Sequence, residues 1–486
     1  MELGNKIFKG ALWSSIEKIS VQLVSFILGI ILARILSPEE YGIFGLLIVF
    51  ITVSQVFIDS GFSQALIQNR NRTHKDISTV LTFNIAVAFI CYILLFIASP
   101  YIADFYKSNE LKNLLRVLAF SLIINSLFTV PSTLLTIKMN FQLIAKITLI
   151  STLTSGIIAI IAAYLDYGAW SLVIQIISKG IISAIFFWFT IEKIPKFKFF
   201  KKSFHQLFSF GSKLLISSLL NTIVGNLNSI LIGKYIGTKS LGFYTRGTQF
   251  SDMAYSTINS AITSVLLPSL SDLQDDKAAL RTYSKTLLKM TSLITVPLFL
   301  CLSLFSEQLI LLLLTEKWAM AIPIMQIFCI ARLITILMGI SSNMLYVIGR
   351  TDLSLKQQYV KMAIRISLLL LALPYGIYYV ALAELLATVL HFFVNTYYPG
   401  KIFNYGAKEH FLDTYKIAFS GVVMVISGYL TMKLFDSQII KLIIAIPISI
   451  ISYTVLIKFL KIKEFDMLLL RIKSLSNQKV KSDKPN

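Results

Sequence analysis

Apolar stretches of about twenty residues recur along almost the whole chain, separated by short polar turns. A stretch of that length crosses the hydrocarbon core of a bilayer as a helix, because only a helix or a closed barrel satisfies every backbone group in lipid. Fourteen such spans are predicted, at roughly 10–33, 41–61, 78–100, 113–136, 143–164, 169–190, 208–232, 241–267, 284–305, 321–346, 358–375, 377–398, 412–434 and 438–459. With 56% hydrophobic and 14% charged residues, a water-soluble fold of this length would leave far too much apolar surface exposed. The fold class is all-α and integral to the membrane. The eighth span is the least hydrophobic of the set. The first carries Glu17 and Lys18 and lacks a small-residue cleavage site, so it is expected to stay in the mature protein.

Charge sets the expected orientation. An even number of spans puts both termini on one side, and alternate loops place about 30 Lys and Arg there against about 10 opposite. The rich side includes Lys193, Lys196, Lys198, Lys201 and Lys202, and a tail with Lys473, Lys479, Lys481 and Lys484. The positive-inside rule then makes both termini cytoplasmic. The net charge of +21 reads as a topology signal and an attraction to anionic headgroups, and nucleic acid is excluded as a partner because no folded basic face collects these residues. Cys91, Cys301 and Cys329 sit singly in apolar spans, and the four histidines form no metal motif. No loop exceeds about 20 residues, which leaves no room for a catalytic soluble domain. The chain is expected not to be an enzyme, to need no cofactor or metal, and to admit coupling to Na⁺ or H⁺.

An internal duplication is visible. Residues 33–44, from Ala33 to Phe44, lie over Gly233 to Tyr244 at an offset of 200, which holds through Ser60/Ser260 and Leu66/Leu266; Tyr167-Gly168 matches Tyr375-Gly376 at 208. Six spans per copy give two lobes in parallel topology, with the expected substrate site between them. The divisions are 1–200 for the N-terminal lobe, 201–405 for the C-terminal lobe, 406–462 for two appended spans and 463–486 for a basic cytoplasmic tail.

Several spans carry a polar stripe that lipid contact does not require. In the first, Ser14, Lys18, Gln22 and Ser25 share one face, with Glu17 beside them; in the seventh, Ser218, Asn221, Gly225 and Asn228 do so. The eighth has Thr245, Gln249, Asp252, Ser256, Asn259 and Thr263, with Arg246 at its outer end, and the twelfth has Glu384, Thr388, His391 and Asn395. The alternatives are a wet translocation path and interhelical hydrogen bonding. Five cations fall inside spans: Lys18, Lys179, Lys213, Arg332 and Arg365. A charge there must face protein, water or a bound anion. Lys18 is expected to face substrate. Lys179 and Arg332 either bind substrate or satisfy a carboxylate such as Glu17, Asp59, Asp252 or Glu384. Lys213 and Arg365, near cytoplasmic ends, are expected to snorkel. Pro131, Pro297, Pro323 and Pro447 are candidate kinks within spans.

The segments Lys9-Gly10-Ala11-Leu12-Trp13-Ser14, Leu32 to Gly42 (containing Ser37-Pro38-Glu39-Glu40-Tyr41-Gly42), Asp59-Ser60-Gly61-Phe62-Ser63-Gln64 and Leu266-Leu267-Pro268-Ser269-Leu270-Ser271 resemble the Wzx-type polysaccharide flippases of the multidrug/oligosaccharidyl-lipid/polysaccharide (MOP) exporter superfamily. That resemblance implies two six-helix lobes around a central cavity plus two C-terminal helices. It also implies transfer of undecaprenyl-pyrophosphate-linked oligosaccharide units to the outer leaflet of the bacterial cytoplasmic membrane, for O-antigen, capsule or exopolysaccharide. A polysaccharide polymerase and a chain-length regulator are further candidate partners, beside membrane lipids. In the related lipid II flippases, basic residues on the first, second and eighth helices are held to engage the pyrophosphate. Here the first and eighth supply Lys18 and Arg246, whereas the second offers only Gln55 and Asp59. The candidate substrate site is therefore Lys18, Gln22, Arg246, Gln249, Asn221, Asn228, Lys179 and Arg332, with Glu17, Asp59, Asp252 and Glu384 as candidate ion-coupling acids. Two other functions compete. A cation-coupled drug antiporter would have an acidic cavity, and a membrane glycosyl-transfer enzyme would have a long catalytic loop on the outer side.

Overall fold

The computed structural model describes residues 2–69, 71–190, 197–271, 274, 276–467 and 470; the side chains described exclude those of residues 2–12, 15, 16, 209, 210, 213 and 264–271. The chain divides into two compact units, Met1–Thr245 and Arg246–Asn486.

The first unit contains α1 (Glu2–Ile35), α2 (Pro38–Asp59), α3 (Phe62–Gln68), α4 (His74–Tyr106), α5 (Glu110–Ile137), α6 (Phe141–Tyr164), α7 (Trp170–Phe189), α8 (Lys201–Tyr235) and the first turns of α9 (Thr238–Ser271). The Ser37-Pro38-Glu39-Glu40 segment starts α2 as a capping box. Ser37 Oγ accepts from the Glu40 amide at 3.3 Å, Glu40 Oε2 accepts from the Ser37 amide at 2.6 Å, and Pro38 sits in the first turn, where no amide hydrogen is needed. Thr73 and Asp76 repeat the device at the start of α4. Within the unit α1 packs on α6, α6 on α7, α7 on α5, and α5 on α4, while α2 lies against α4, α5 and α8. Sequence division at residue 200 is topological; by contact α8 is gathered into the first unit through α2.

The duplication has a physical counterpart inside this unit. A Cβ on Gly42 would lie 1.7 Å from the Thr238 carbonyl oxygen, and one on Gly242 would lie 1.7 Å from that of Pro38. The glycines, like Pro38 and Thr238, are related by the offset of 200, so equivalent turns of the two copies touch reciprocally, backbone on backbone. Only glycine permits that distance.

The second unit holds the rest of α9, then α10 (Lys277–Leu304), α11 (Ser306–Leu314), α12 (Ile322–Val347), α13 (Thr351–Ala372), α14 (Ile377–Phe403), α15 (Ala407–Met432) and α16 (Gln438–Phe459). Here α12 packs on α10 and α14, α13 on α14, and α15 on α10 and α16. Leu293, Val296, Ile417, Met424, Tyr453 and Ile457 form one core, which ties the two appended helices into this unit. Pro323 begins α12 instead of interrupting it, whereas Pro131, Pro297 and Pro447 lie inside helices.

All fourteen expected spans correspond to long helices. Twelve are long and apolar enough among the described residues to cross a membrane; α9 and α13 are the more polar pair. The outward faces are apolar, with Leu94 and Ile97 on α4 each 61% exposed. That arrangement suits lipid and would aggregate in water.

Candidate functional site

The first unit holds two membrane-embedded lysines. Lys18 is exposed on α1 and Lys179 is half-buried midway along α7. Among the described residues, neither has an acid within 4.0 Å. Glu17, next to Lys18, accepts instead from Thr148 Oγ1 on α6 at 3.4 Å. Gln22 lies half-buried one turn along α1. An unneutralised ammonium in the hydrocarbon region costs several kcal/mol unless it reaches water or an anion. Both ammonium groups therefore have to be met by water or by an anion. The Lys213 side chain lies outside the described residues.

The seventh-span stripe splits in two. Ser218 and Asn221 are exposed and Gly225 faces open space, so this half is accessible. Asn228 is only 3% exposed, and its amide donates to the Tyr244 hydroxyl at 2.7 Å. Its expected substrate contact is therefore corrected to a link between α8 and the first turns of α9.

In the second unit two arginines inside spans are held by acids. Arg332 Nε donates to Asp252 Oδ1 at 2.5 Å, and its guanidinium lies 5.4 Å from the ring centres of both Tyr255 and Phe328. Asp252 is thus the carboxylate partner that one of the two readings of Arg332 expects. The Asp252 side chain is still 44% exposed, so the pair remains reachable. Arg365, expected to snorkel, instead donates to Glu384 Oε2 at 3.0 Å, in a pair that is mostly buried. The α13–α14 packing brings together residues nineteen positions apart, and charge pairing wins over snorkelling because the acid is inside the helix pair. Glu384 is thereby committed to an arginine. Arg246 is buried and donates to Gln249 Oε1 one turn along α9. His391 uses Nε2 on the Lys361 carbonyl at 2.9 Å, an interhelical bond.

Asp59 has a different setting. It accepts from Gln55 Nε2 at 3.1 Å and lines a cavity of about 670 Å³ between α2, α3, α5 and α8. The polar lining from α5, Asn125, Thr129, Ser132 and Thr133, was not singled out from the sequence. The available signal was the Gln55/Asp59 spacing followed by Ser60-Gly61, a break that turns the next residues inward. Among the described residues no three His, Cys, Asp or Glu side chains could hold a metal ion together.

Long helices with apolar outer faces, polar stripes and embedded cations define a polytopic helical membrane protein. Solved structures agree on the fold. The chain is similar to the lipid II flippase MurJ in an inward closed conformation, with a TM-score of 0.74 and 19% identity over 92% of this chain and 98% of that one. It is also similar to an inward-facing multidrug resistance MATE transporter of the MOP superfamily, at 0.58 and 15% over 80% and 98%. The chain belongs to the polysaccharide biosynthesis protein family, which matches residues 31–323. Among relatives, the teichuronic acid biosynthesis protein TuaB of Bacillus subtilis (strain 168) is 29% identical over 355 residues, covering 72% of this chain and 73% of TuaB. The lipopolysaccharide biosynthesis protein WzxC of Escherichia coli (strain K12) is 24% identical over 358 residues, 73% of each chain.

Proposed function

We propose that the protein is a flippase, carrying undecaprenyl-pyrophosphate-linked oligosaccharide from the cytoplasmic to the outer leaflet by alternating access, for assembly of a surface polysaccharide. Membership of the polysaccharide biosynthesis family carries this reading. The relatives named for teichuronic acid and lipopolysaccharide biosynthesis, and the fold shared with a lipid II flippase, support it. On the chemical side, Lys18 and Lys179 are proposed to meet the pyrophosphate, each as a point charge with three donors. The basic bias of the termini's side supports a cytoplasmic-membrane location with both termini cytoplasmic. A polymerase that consumes the delivered unit is the proposed downstream partner, and no chemical step is assigned to the chain itself.

The antiporter reading shares the fold but is disfavoured by the charges. Of the four acids expected to couple an ion, Asp252 and Glu384 are held by arginines. Glu17 is the acid proposed to couple a Na⁺ or H⁺ gradient. The test uses the full chain in liposomes with a fluorescent polyprenyl-pyrophosphate-linked sugar and a membrane-impermeant quencher. Protein-dependent exposure of the probe is expected. Transport of cationic drugs with no movement of the probe would overturn the proposal.

A further inference from the structure

The cavity of the first unit described above is built by a helix break. Ser60 and Gly61 take φ of 40° and 70°, ending α2 and restarting the chain as α3. A Cβ on Gly61 would lie 3.0 Å from Cα and O of Gly211, and one on Gly211 would lie 2.4 Å from the Ser60 carbonyl oxygen. The break is thus pressed against α8, and it turns Asp59, Ser63 and Gln64 onto one wall, facing Asn125 and Phe128 of α5.

The chemistry of the lining is selective. Among the described residues, Asp59 is the one charged side chain that lines it, and no Lys, Arg or His does. The described side chains of the lining offer a pyrophosphate no cation. Two buried acceptors, Gln55 Oε1 and Ser63 Oγ, meet no hydrogen-bond partner among the described residues. Leaving a buried polar atom in that state costs on the order of 1–3 kcal/mol, so the site calls for a ligand or solvent donor. On α5, Thr129 and Thr133 spend their hydroxyl protons on the Asn125 and Thr129 carbonyls, both at 2.8 Å, which leaves their oxygens as acceptors. Amides at Gln64 and Asn125 add donors, and Phe128 gives an apolar face. Many acceptors, a few amide donors, one carboxylate and one ring face match a polyol. The volume falls in the range of about 300–1,000 Å³ usual for small-molecule sites and is large for a bare cation.

We infer that this pocket of the first unit binds the uncharged saccharide head of the transported lipid, separately from the lysines that meet its pyrophosphate. The inference rests on the flippase reading and adds a place for the sugar. By the alternation of the helices, the α2–α3 break lies on the same side of the membrane as the start of α1, the side from which the substrate is proposed to be loaded.

The experiment measures binding of three lipids to the full chain in nanodiscs: undecaprenyl pyrophosphate alone, and the same lipid carrying a hexose or an N-acetylhexosamine. At least one glycosylated lipid is expected to bind about tenfold tighter than the bare one, the increment of one or two hydrogen bonds. In Q64L/N125L that increment is expected to fall below about twofold while the bare lipid binds as before. Equal affinity of the wild type for all three lipids overturns the inference. So does an increment that survives in Q64L/N125L, or an equal loss for bare and glycosylated lipid, which would mark a structural role. As a second variant, Asp59→Asn should reduce the increment; loss of Na⁺-stimulated flipping with the increment intact would make the pocket a cation site instead. Failure of the wild type to bind even the bare lipid or to flip the fluorescent probe would overturn the flippase reading itself, a result distinct from any of these.

Discussion

The two units differ in how they treat the cations singled out inside their spans. Among the described residues, Lys18 and Lys179 of the first have no acid within 4.0 Å, although Glu17 is the chain neighbour of Lys18, whereas the second joins Arg332 to Asp252 and Arg365 to Glu384. The residue types fit the treatments. An arginine has a planar fork that suits a carboxylate and stacks on rings, as Arg332 does with Tyr255 and Phe328. A lysine is a compact charge that presents three donors to whatever arrives. An ion pair inside a helix bundle is a structural commitment, since removing one partner strands the other. A cation with no acid beside it makes no such commitment, and its cost is offset by water or by a bound anion. The first unit is therefore the one expected to lose function, and the second the one expected to lose stability, when a charge is removed.

The largest effect should come from the second unit. Arg365→Ala takes from the mostly buried Glu384 the arginine that balances its charge, so unfolding in detergent should shift by about 3 kcal/mol, and R365L/E384L should recover most of it. A double-mutant cycle that shows no coupling would remove the pair from the account. Next is Lys18→Ala, for which flipping of the fluorescent lipid is expected to fall about tenfold with unchanged thermal stability, and Lys18→Arg should keep part of the rate. If K18A flips normally, Lys18 has no part in the site. A smaller effect tests the comparison directly. Gln175 lies one turn before Lys179 on α7, so Gln175→Glu should create the kind of pair found in the second unit. Flipping should drop about threefold while stability rises by about 0.5 kcal/mol; an unaltered rate would argue that Lys179 does not meet substrate. The smallest effect belongs to Tyr244→Phe, which removes the Asn228 bond at a cost of about 0.6 kcal/mol without altering flipping, as a transport assay beside a melting curve would show.

Much of this was legible in the chain because lipid imposes simple rules. The long helices and the polar character of α9 follow from apolar run lengths. The Ser37–Glu40 cap is a local pattern, and the offset of 200 exposed a duplication whose glycines turn out to touch. The Asp59-Ser60-Gly61 segment supported a family resemblance, yet its work as a helix break that walls a cavity was not visible, since that depends on Gly211 far along the chain. Asn228 and Arg365 were misread for the same reason. A helical stripe shows which residues share a face, and says nothing of whether that face meets water, lipid or a tyrosine on the next helix.

Sequence by itself determined the membrane, the helices, the two copies and the inventory of embedded charge, because hydropathy and spacing act along one chain. The tertiary structure decided which charges are spent. Whether a cation is paired, buried or exposed depends on residues brought together from different helices, as with Arg332 and Asp252, eighty positions apart. Coulomb and desolvation energies act at a few ångströms through space, a distance that position along the chain does not encode.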